Sequence, residues 1–230
     1  MSDNRNDYDG YIAFKGWTGD PPVSVDQFEE FFRHAGIGTG SDILEIGFGE
    51  GALLDWAAER GFRTAGVETL PELVERARGR HRVQLGTIQS VDLADASFDA
   101  VFAIDVLEHI PKDQLRGTLE HIARILRPGG AFVARFPNGA SPFFGRYMYG
   151  DLTHATHLTE SSLRQLSQGS GLRFVAAYNP RPRAKGLLKS FRRLVAYALR
   201  DVIETVLGYG YFGARAPMDP NLIVILTRSD

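Results

Sequence analysis

The sequence predicts an α/β domain built on a mostly parallel, seven-stranded sheet with helices on both faces. Two observations lead to this prediction: short apolar runs alternate with amphipathic helical segments, and the first apolar run stops at a cluster of glycines. Because a helical segment also precedes the last strand, the sequence predicts a helical insertion there. The predicted strands are 42–46, 64–68, 83–85, 98–104, 131–136, 172–177 and 222–226.

Helical segments are predicted between these strands. Ser24 is expected to cap the first helix, which runs to about Ala35, and Pro111 is expected in the first turn of the fourth. Pro128-Gly129-Gly130 is expected to end the fourth helix, and Thr159 to cap the one after the fifth strand. The remaining predicted helices are 52–60, 72–80 and 160–168, the last being the one that Thr159 caps.

The chain of 230 residues is interpreted as a single domain, which is long enough to bury a full core. Its core is expected to comprise residues 24–179 and 221–230. Residues 1–23 would form an N-terminal clasp, and residues 180–220 a helical cap inserted before the last strand. No internal repeat divides the chain further.

Composition excludes several classes of function. The formal net charge of −2 gives no reason to expect binding to nucleic acid. The chain has no cysteine, which excludes disulfides, thiolate metal sites and a thiol nucleophile. The polar residues 1–10 predict no signal peptide, and no segment is apolar enough to predict a spanning helix. The expected location is therefore the cytoplasm, with contact to a membrane surface left open.

The glycine cluster after the first strand predicts a site for a nucleotide-type cofactor. Glycines 47, 49 and 51 permit a tight turn and let the backbone approach a ligand closely. About twenty residues later Glu68 ends the second strand, where a carboxylate can accept both ribose hydroxyls. The looser NAD pattern, Gly47-x-Gly49-x-x-Ala52, is also satisfied. The additional acid at Glu45 and the third glycine favour a different cofactor.

Five motifs occur in a fixed order: Glu45-Ile-Gly-Phe-Gly-Glu-Gly51, Glu68, Ser97-Phe-Asp-Ala-Val101, Asp105-Val-Leu-Glu-His-Ile110 and Leu126-Arg-Pro-Gly-Gly130. Together they resemble class I S-adenosylmethionine-dependent methyltransferases, of the group that includes the ubiquinone-biosynthesis O-methyltransferases. The resemblance covers roughly residues 40–137. It implies a Rossmann-like fold, S-adenosylmethionine as cofactor, and methyl transfer as the activity.

The resemblance also implies which residues contact the cofactor. The glycine loop would hold the methionine end, the acid after the second strand the ribose, the residues after the third strand the adenine, and the segment after the fourth strand the sulfonium. In this sequence these are Glu45, Gly47, Phe48, Gly49 and Gly51; Glu68 and Thr69; Thr87, Ile88 and Gln89; and Asp105, Val106 and Leu107. Tyr11, Lys15 and Trp17 would either fold over the cofactor or fill a surface groove.

Methyl transfer to a hydroxyl needs a group that removes the proton. His109, Asp105 and His154 are the candidate catalytic residues, because they follow the fourth and fifth strands at the same end of the sheet. An imidazole suits proton transfer near neutral pH. His109 could instead only order its loop. His157 is expected to pack at the entry of the following helix, so His154 is the better candidate of that pair.

A divalent metal, magnesium in some related enzymes, is an alternative way to activate the hydroxyl. Its ligands would come from Asp105, Glu108 and His109 on one side, with Asp151 and His154 on the other. Glu108 and His109 could equally form a local hydrogen-bonded pair.

The insertion is basic at its start and amphipathic throughout. Its residues 181–207 could lie on an anionic membrane surface or contact a phosphate-bearing substrate. The slightly favoured interpretation is a cap helix whose apolar face covers the sheet. Residues 208–213, Gly-Tyr-Gly-Tyr-Phe-Gly, are expected to form a flexible aromatic turn.

The segment Asp151-Leu-Thr-His154 resembles one in methyltransferases encoded with bacterial surface-polysaccharide biosynthesis. The sequence therefore predicts an O-methyltransferase that acts on a small-molecule, lipid-linked or nucleotide-linked saccharide. A small aromatic or quinone-type hydroxyl is the nearest alternative acceptor. An NAD-dependent oxidoreductase and a non-catalytic cofactor-binding module are the alternatives from other classes.

Overall fold

The fold is given by a computed structural model that describes residues 25–184, 186–215 and 217–229. Ser24 and the N-terminal Tyr11, Lys15 and Trp17 lie outside the described residues. The strands are β1 (Asp42–Ile46), β2 (Arg63–Glu68), β3 (Arg82–Leu85), β4 (Phe98–Ile104), β5 (Leu126–Pro137), β6 (Leu172–Tyr178) and β7 (Asn221–Arg228). The α-helices are α1 (Val25–Ala35), α2 (Ala52–Ala58), α3 (Pro71–Ala77), α4 (Leu115–Ile125), α5 (Phe144–Met148), α6 (Glu160–Ser167) and α7 (Leu187–Phe212), with a 3-10 turn at Leu107–His109.

The strands form one sheet in the order β3-β2-β1-β4-β5-β7-β6. Strands β1 to β5 are parallel, and β7 lies antiparallel between β5 and β6. The carboxyl ends of the six parallel strands therefore meet at one edge, which we call the carboxyl edge, and β7 begins there. The predicted mostly parallel, seven-stranded, Rossmann-like sheet is confirmed.

Both faces of the sheet are buried by helices. On one face, α1 packs through Phe32, whose ring lies 4.7 Å from that of Phe102 and 5.0 Å from that of Trp56. On the other face, the buried residues Leu119 of α4 and Leu163 of α6 join the core. Because helices cover both faces, the central strands are continuous apolar runs rather than alternating ones.

Two predicted boundaries around the fourth helix are wrong. The helix begins at Leu115, and Pro111 lies in the turn before it, where its carbonyl accepts a hydrogen bond from the Gln114 amide at 2.9 Å. Strand β5 begins at Leu126, so residues 128–130 belong to the strand instead of separating it from the helix. The β4–β5 register shifts at this point, which accommodates the three residues as an irregularity in the ladder.

The insertion between β6 and β7 is a single long helix, and two expectations about it are wrong. Residues 208–212 continue α7 instead of forming an aromatic turn, and the helix ends at Gly213 with a φ of 70°. Its polar side faces the rest of the protein: Glu204 is buried and accepts a hydrogen bond from Asn179 at 2.6 Å. Its apolar side faces solvent and does not cover the sheet. No helix within the described ranges has the length and hydropathy needed to cross a membrane.

Asp42 at the start of β1 should contribute to stability through the two arginines that donate hydrogen bonds to it. Arg63 on β2 donates two hydrogen bonds to its carboxylate at 2.8 Å, and Arg127 on β5 donates another at 3.0 Å. The hydrogen bond from Arg63 is the main reason that the pKa of Asp42 falls to about 2. A lowered pKa stabilises the fold above the ordinary pKa of an aspartate, and this contribution is lost as the pH falls towards 2.

We therefore expect Asp42→Asn to lower the free energy of unfolding by about 1 kcal/mol at pH 7 and by less at pH 3. Urea unfolding at both pH values measures the difference. An equal loss at the two pH values would contradict the electrostatic explanation.

Candidate active site

The loop between β1 and α2 is held close to the end of β4. Gly47 has a φ of 65°, and a Cβ atom built on it would lie only 2.7 Å from Cγ2 of Val106. Its amide donates to the carbonyl of Val67 on β2 at 2.8 Å. Only glycine satisfies both this backbone conformation and this close approach. The loop is thereby fixed at the carboxyl edge.

Glu68 ends β2 with its carboxylate held by backbone amides. One oxygen accepts from the amide of Gly49 at 3.1 Å. The other accepts from the amide of Thr69 at 2.6 Å, the amide of Leu70 at 3.2 Å, and the Thr69 hydroxyl at 3.1 Å. These hydrogen bonds fix the orientation of the Glu68 carboxylate between the glycine loop and α3.

A cavity of about 270 Å³ opens at this edge of the sheet. Nine of the thirteen residues that the sequence assigned to the cofactor line it: Gly47, Gly49, Glu68, Thr69, Thr87, Ile88, Gln89, Asp105 and Val106. Sequence reasoning missed further lining residues, among them Leu70, Leu73, Gly86, Ile110, Pro111 and Gln114. Leu70, Leu73 and Gly86 lie within five residues of the end of a parallel strand, which is the signal that could have identified them. Ile110, Pro111 and Gln114 lie six to ten residues beyond β4 and give no such signal.

The other four residues assigned to the cofactor do not line the cavity. Phe48 is buried and packs on Gly66, where an added Cβ atom would lie 2.5 Å from its ring. Leu107 is buried in the core, and Gly51 is the N-cap of α2 with a φ of 82°. Glu45 is buried as well. A motif therefore marks the loop correctly without showing which of its side chains face the ligand.

Glu45, near the end of β1, has a strongly shifted pKa. Burial, reinforced by the neighbouring carboxylate of Glu68, raises the pKa of Glu45 well above its usual range. Its Oε2 atom is buried without a hydrogen-bond partner among the described residues. A positively charged group near this carboxyl would lower its pKa and would interact favourably with the unpartnered Oε2 atom.

Asp105 follows β4 in a backbone conformation that is rare for residues other than glycine, with a φ of 55°. Its amide donates to the carbonyl of Arg135 at 2.8 Å, and one carboxylate oxygen pairs with the Arg135 guanidinium. The other oxygen is buried with no partner in the described part of the chain. Asp105 therefore lines the cavity as an oriented, arginine-paired carboxylate.

His109 also lines the cavity, and Thr153 fixes its orientation. The Nδ1 atom of His109 lies 3.0 Å from the Thr153 hydroxyl oxygen, which donates to Oδ1 of Asp151 at 2.6 Å. Burial alone would raise the pKa of Asp151, but hydrogen bonds from the Thr153 hydroxyl and amide, together with the neighbouring His154 and His109, leave the pKa below its usual value. An ionised Asp151 only accepts, so the Thr153 proton points to it.

Because the Thr153 oxygen has given its only proton to Asp151, it must accept from Nδ1–H of His109. The neutral imidazole then carries its lone pair on Nε2. A histidine oriented in this way by a hydroxyl and a carboxylate is arranged to accept a proton at Nε2. Sequence reasoning missed Thr153, because a threonine in a loop gives no signal without the histidine beside it.

His154 lies behind His109, with the two ring centroids 4.8 Å apart. Its Nε2 atom is 3.8 Å from Oδ2 of Asp151 and 4.0 Å from Oε1 of Glu108. The side chain of His154 is only 8% exposed and does not line the cavity. Of the two candidate bases, His109 is therefore the one in contact with the cofactor cavity.

The segment that supplies these groups is held by α6. Thr159 and Ser162 form a capping box in which each side chain bonds the other's amide, at 3.1 and 2.8 Å. His157 is exposed and contacts the rings of Phe144 and Tyr149 at the helix entry. The predicted cap at Thr159 and the packing role of His157 agree with this arrangement.

Residues 44–134 match the family model of a methyltransferase domain. This match and the relatives described below support a methyltransferase domain of the class I, S-adenosylmethionine-dependent family in this chain. S-adenosylmethionine is the cofactor of this family, which confirms the cofactor expected from the sequence and removes the support for a nicotinamide cofactor.

Two curated relatives indicate the range of the family. A protein of Mycolicibacterium smegmatis, named as a probable S-adenosylmethionine-dependent methyltransferase, is 34% identical over 135 residues, which are 57% of this chain and 52% of the relative. The ubiquinone biosynthesis O-methyltransferase of Xylella fastidiosa is 28% identical over 150 residues, 59% of this chain and 60% of the relative. The chain thus spans about half the length of the curated relatives it matches.

Solved structures share the fold. An S-adenosylmethionine-dependent methyltransferase from Archaeoglobus fulgidus superimposes with a TM-score of 0.66 at 18% identity, covering 95% of this chain and 99% of the other. A Burkholderia thailandensis 1,6-didemethyltoxoflavin-N1-methyltransferase, solved with S-adenosylhomocysteine, gives a TM-score of 0.62 at 18% identity, covering 98% and 85%. At this level of identity the likeness concerns the fold alone.

The contact between Gly47 and Val106 predicts a sensitive position. We expect Gly47→Ala to weaken binding of S-adenosylhomocysteine at least tenfold, and to cost about 1–3 kcal/mol of stability, because the added Cβ meets Val106 and disfavours the positive φ. Calorimetric titration and urea unfolding measure the two effects.

Gly117→Ala is the matched control, since Gly117 lies in α4 with open space around it. It should leave affinity unchanged and stabilise the helix slightly. Equal affinity of Gly47→Ala and wild type would contradict the close packing of the loop.

Proposed function

We propose that this protein transfers the methyl group of S-adenosylmethionine to a hydroxyl group of a saccharide or glycan precursor. The observation that carries the proposal is that His109 lines the cofactor cavity with its Nδ1 atom held by Thr153. This hydrogen bond assigns the proton-accepting role to Nε2. A non-catalytic binding module would have no use for such an oriented base.

The cofactor would be held by the residues that line the cavity. Glu68 offers acceptors to the ribose hydroxyls, and Thr87–Gln89 would flank the adenine. Glu45, which is buried behind the glycine loop and does not line the cavity, would act on the positively charged end of S-adenosylmethionine only through its electrostatic field. When bound, S-adenosylmethionine supplies a methyl group on a cationic sulfur, which needs only a well-placed nucleophile.

His109 would accept the proton that the acceptor hydroxyl loses as its oxygen bonds to the methyl group. The positive charge that forms on the ring is stabilised through Thr153 by the carboxylate of Asp151. Asp105 positions its loop beside the same cavity through Arg135. His154 packs against the ring of His109 and lies between Glu108 and Asp151, so it would help to position His109.

The proposal of a saccharide acceptor rests on the resemblance of residues 151–154 to a segment of methyltransferases encoded with surface-polysaccharide biosynthesis. A separate polar cleft of about 470 Å³, which shares no lining residue with the cofactor cavity, lies at the end of β6. Tyr178, Asn179 and Arg181 at the end of β6 line it. The alternative, an aromatic or quinone-type hydroxyl, is favoured by the named activity of the ubiquinone-biosynthesis relative.

The direction of the hydrogen bonds from His109 to Thr153 and from Thr153 to Asp151 gives a direct prediction. In the neutral ring of the wild type, ¹⁵N NMR should show the proton on Nδ1. Thr153→Val should weaken this preference without abolishing it, because the Thr153 carbonyl oxygen also lies 3.3 Å from Nδ1, and should slow methyl transfer by up to about tenfold, whereas Thr153→Ser should retain both. His109→Gln should slow transfer by about 10² or more. A wild-type proton on Nε2 would contradict the assignment of the base.

The acceptor is identified by incubating the protein with methyl-labelled S-adenosylmethionine and a panel of nucleotide-linked sugars, lipid-linked sugars and catechols. The proposal expects S-adenosylhomocysteine formation with a saccharide, and mass spectrometry should place the methyl group on oxygen. Transfer to catechols alone would support the quinone-type alternative. Transfer to nitrogen or carbon would overturn the role of His109.

A metal-assisted reaction is a second candidate, because ligand atoms of Glu108, His109 and His154 lie within 4.8 Å of one another. Metal bonds of about 2.1 Å place such atoms up to about 4 Å apart, so the group needs only a slight contraction. Two imidazoles and one carboxylate suit manganese or zinc better than magnesium.

Titration of the chelator-treated protein with Mn²⁺, followed by electron paramagnetic resonance, tests this candidate. Binding that is lost in Glu108→Gln and kept in the exposed-site control Glu120→Gln would support a metal centre. If the spectrum of free Mn²⁺ persists with the wild type, the metal candidate fails and His109 acts without a metal.

A further inference from the structure

The outward face of α7 is an apolar stripe that runs the length of the helix. Its residues recur at intervals of three or four and therefore lie on one side. They are Leu188, Phe191, Val195, Leu199, Val202, Val206 and Tyr209, all exposed. With 26 residues, α7 is ~39 Å long, so this is a large surface for a folded domain to leave in water.

Polar contacts on the opposite side fix the orientation of the helix. Glu204 is buried and accepts hydrogen bonds from Asn179 at 2.6 Å and from the Met218 amide at 3.1 Å. Arg200 pairs with Asp219, and the Tyr197 hydroxyl donates to the carbonyl of Pro182 at 3.0 Å. Turning the apolar side inward would break all of these contacts. The outward exposure of the stripe is therefore a property of the fold.

The apolar surface is broader than one partner helix would cover. Residues flanking the outward face are also exposed and apolar, namely Leu187, Leu194, Ile203 and Leu207. At about 100° per residue these positions extend the apolar arc over more than half of the circumference. A helix pair buries a narrow seam, whereas a helix lying in a lipid interface uses a wide apolar face.

The charges around the outward face have one sign. Lys189 and Arg192 are exposed and make no ion pair with any residue in the described ranges. The acidic residues of α7, Asp201 and Glu204, are both engaged with arginines or amides on the inner side. A second copy of the chain would bring the same positive charge, whereas an anionic surface complements it.

We propose that the outward face of α7 docks on an anionic lipid surface, with its apolar side chains in the interface and Lys189 and Arg192 at the phosphates. The helix joins β6 to β7, and both connections lie at the carboxyl edge. Docking therefore attaches the protein to the lipid surface through a helix that is anchored at that edge. The inference does not require methyl transfer.

The test is co-sedimentation of the full chain with vesicles of phosphatidylcholine alone or mixed with phosphatidylglycerol. We expect binding to the mixed vesicles that is at least about tenfold stronger than to the neutral ones and weakens with salt. Lys189→Glu combined with Arg192→Glu should abolish this preference. Leu188→Ser combined with Phe191→Ser and Val202→Ser should weaken binding at least about tenfold.

Arg78→Glu combined with Arg82→Glu is the charge-reversal control, because both side chains are exposed near β3, at the opposite edge of the sheet. It also breaks their ion pairs with Glu75 and Asp42, so urea unfolding accompanies it. This variant should bind as the wild type does. Circular dichroism shows whether each variant folds, and its affinity for S-adenosylhomocysteine is compared with that of the wild type. If the folded wild type does not bind S-adenosylhomocysteine, the proposed function fails, but the lipid-docking proposal is unaffected. No binding to mixed vesicles, or equal binding to both kinds, would overturn the proposal. So would a wild-type dimer that the triple serine variant converts to monomers without any vesicle binding.

Discussion

The parallel direction of six strands is the constraint on which the site depends. It brings the ends of β1, β2 and β3 together with those of β4 and β5 at one edge, although these ends are far apart in sequence. The cofactor half of the site, around Glu68, comes from the first three strands. The half proposed to accept the proton, around His109 and Thr153, comes from the loops after β4 and β5. Neither half exists without the crossover helices that keep the strands parallel.

The close approach of Gly47 to Val106 joins the two halves. It sets the distance between the glycine loop and the segment that begins at Asp105. We therefore expect a single methyl group added at Gly47 to reduce both cofactor affinity and stability. The strained backbone of Asp105 belongs to the same arrangement, since its φ of 55° turns the chain beside the cavity.

Local patterns predicted the sheet and the glycine loop well, because apolar runs and glycine spacing report local conformation directly. Strand β4 was predicted with its observed ends, 98 and 104. The position of Phe48 was not predictable in the same way, since its burial depends on Gly66 in the neighbouring strand. Thr153 was missed for a related reason: its role depends on a hydrogen bond to a residue 44 positions away.

The helix α7 shows where an amphipathic pattern is ambiguous. The pattern of apolar residues predicted the helix and one apolar side, but not the direction in which that side would point. That direction is decided by Glu204 and Arg200, whose partners Asn179 and Asp219 lie outside the helix. Because these polar contacts hold the polar side of α7 against the protein, its apolar side faces solvent. An amphipathic helix next to a sheet usually packs its apolar side on the sheet.

The central claim is that the cavity beside Glu68 binds S-adenosylmethionine, and calorimetric titration with S-adenosylhomocysteine tests it most directly. We expect micromolar binding by the wild type, loss of binding in Glu68→Ala, and no change in Glu72→Ala, which alters an exposed carboxylate on the neighbouring helix α3. Circular dichroism verifies that each protein is folded. Absence of binding to the folded wild type, or unchanged affinity in Glu68→Ala, would contradict the assignment of this cavity.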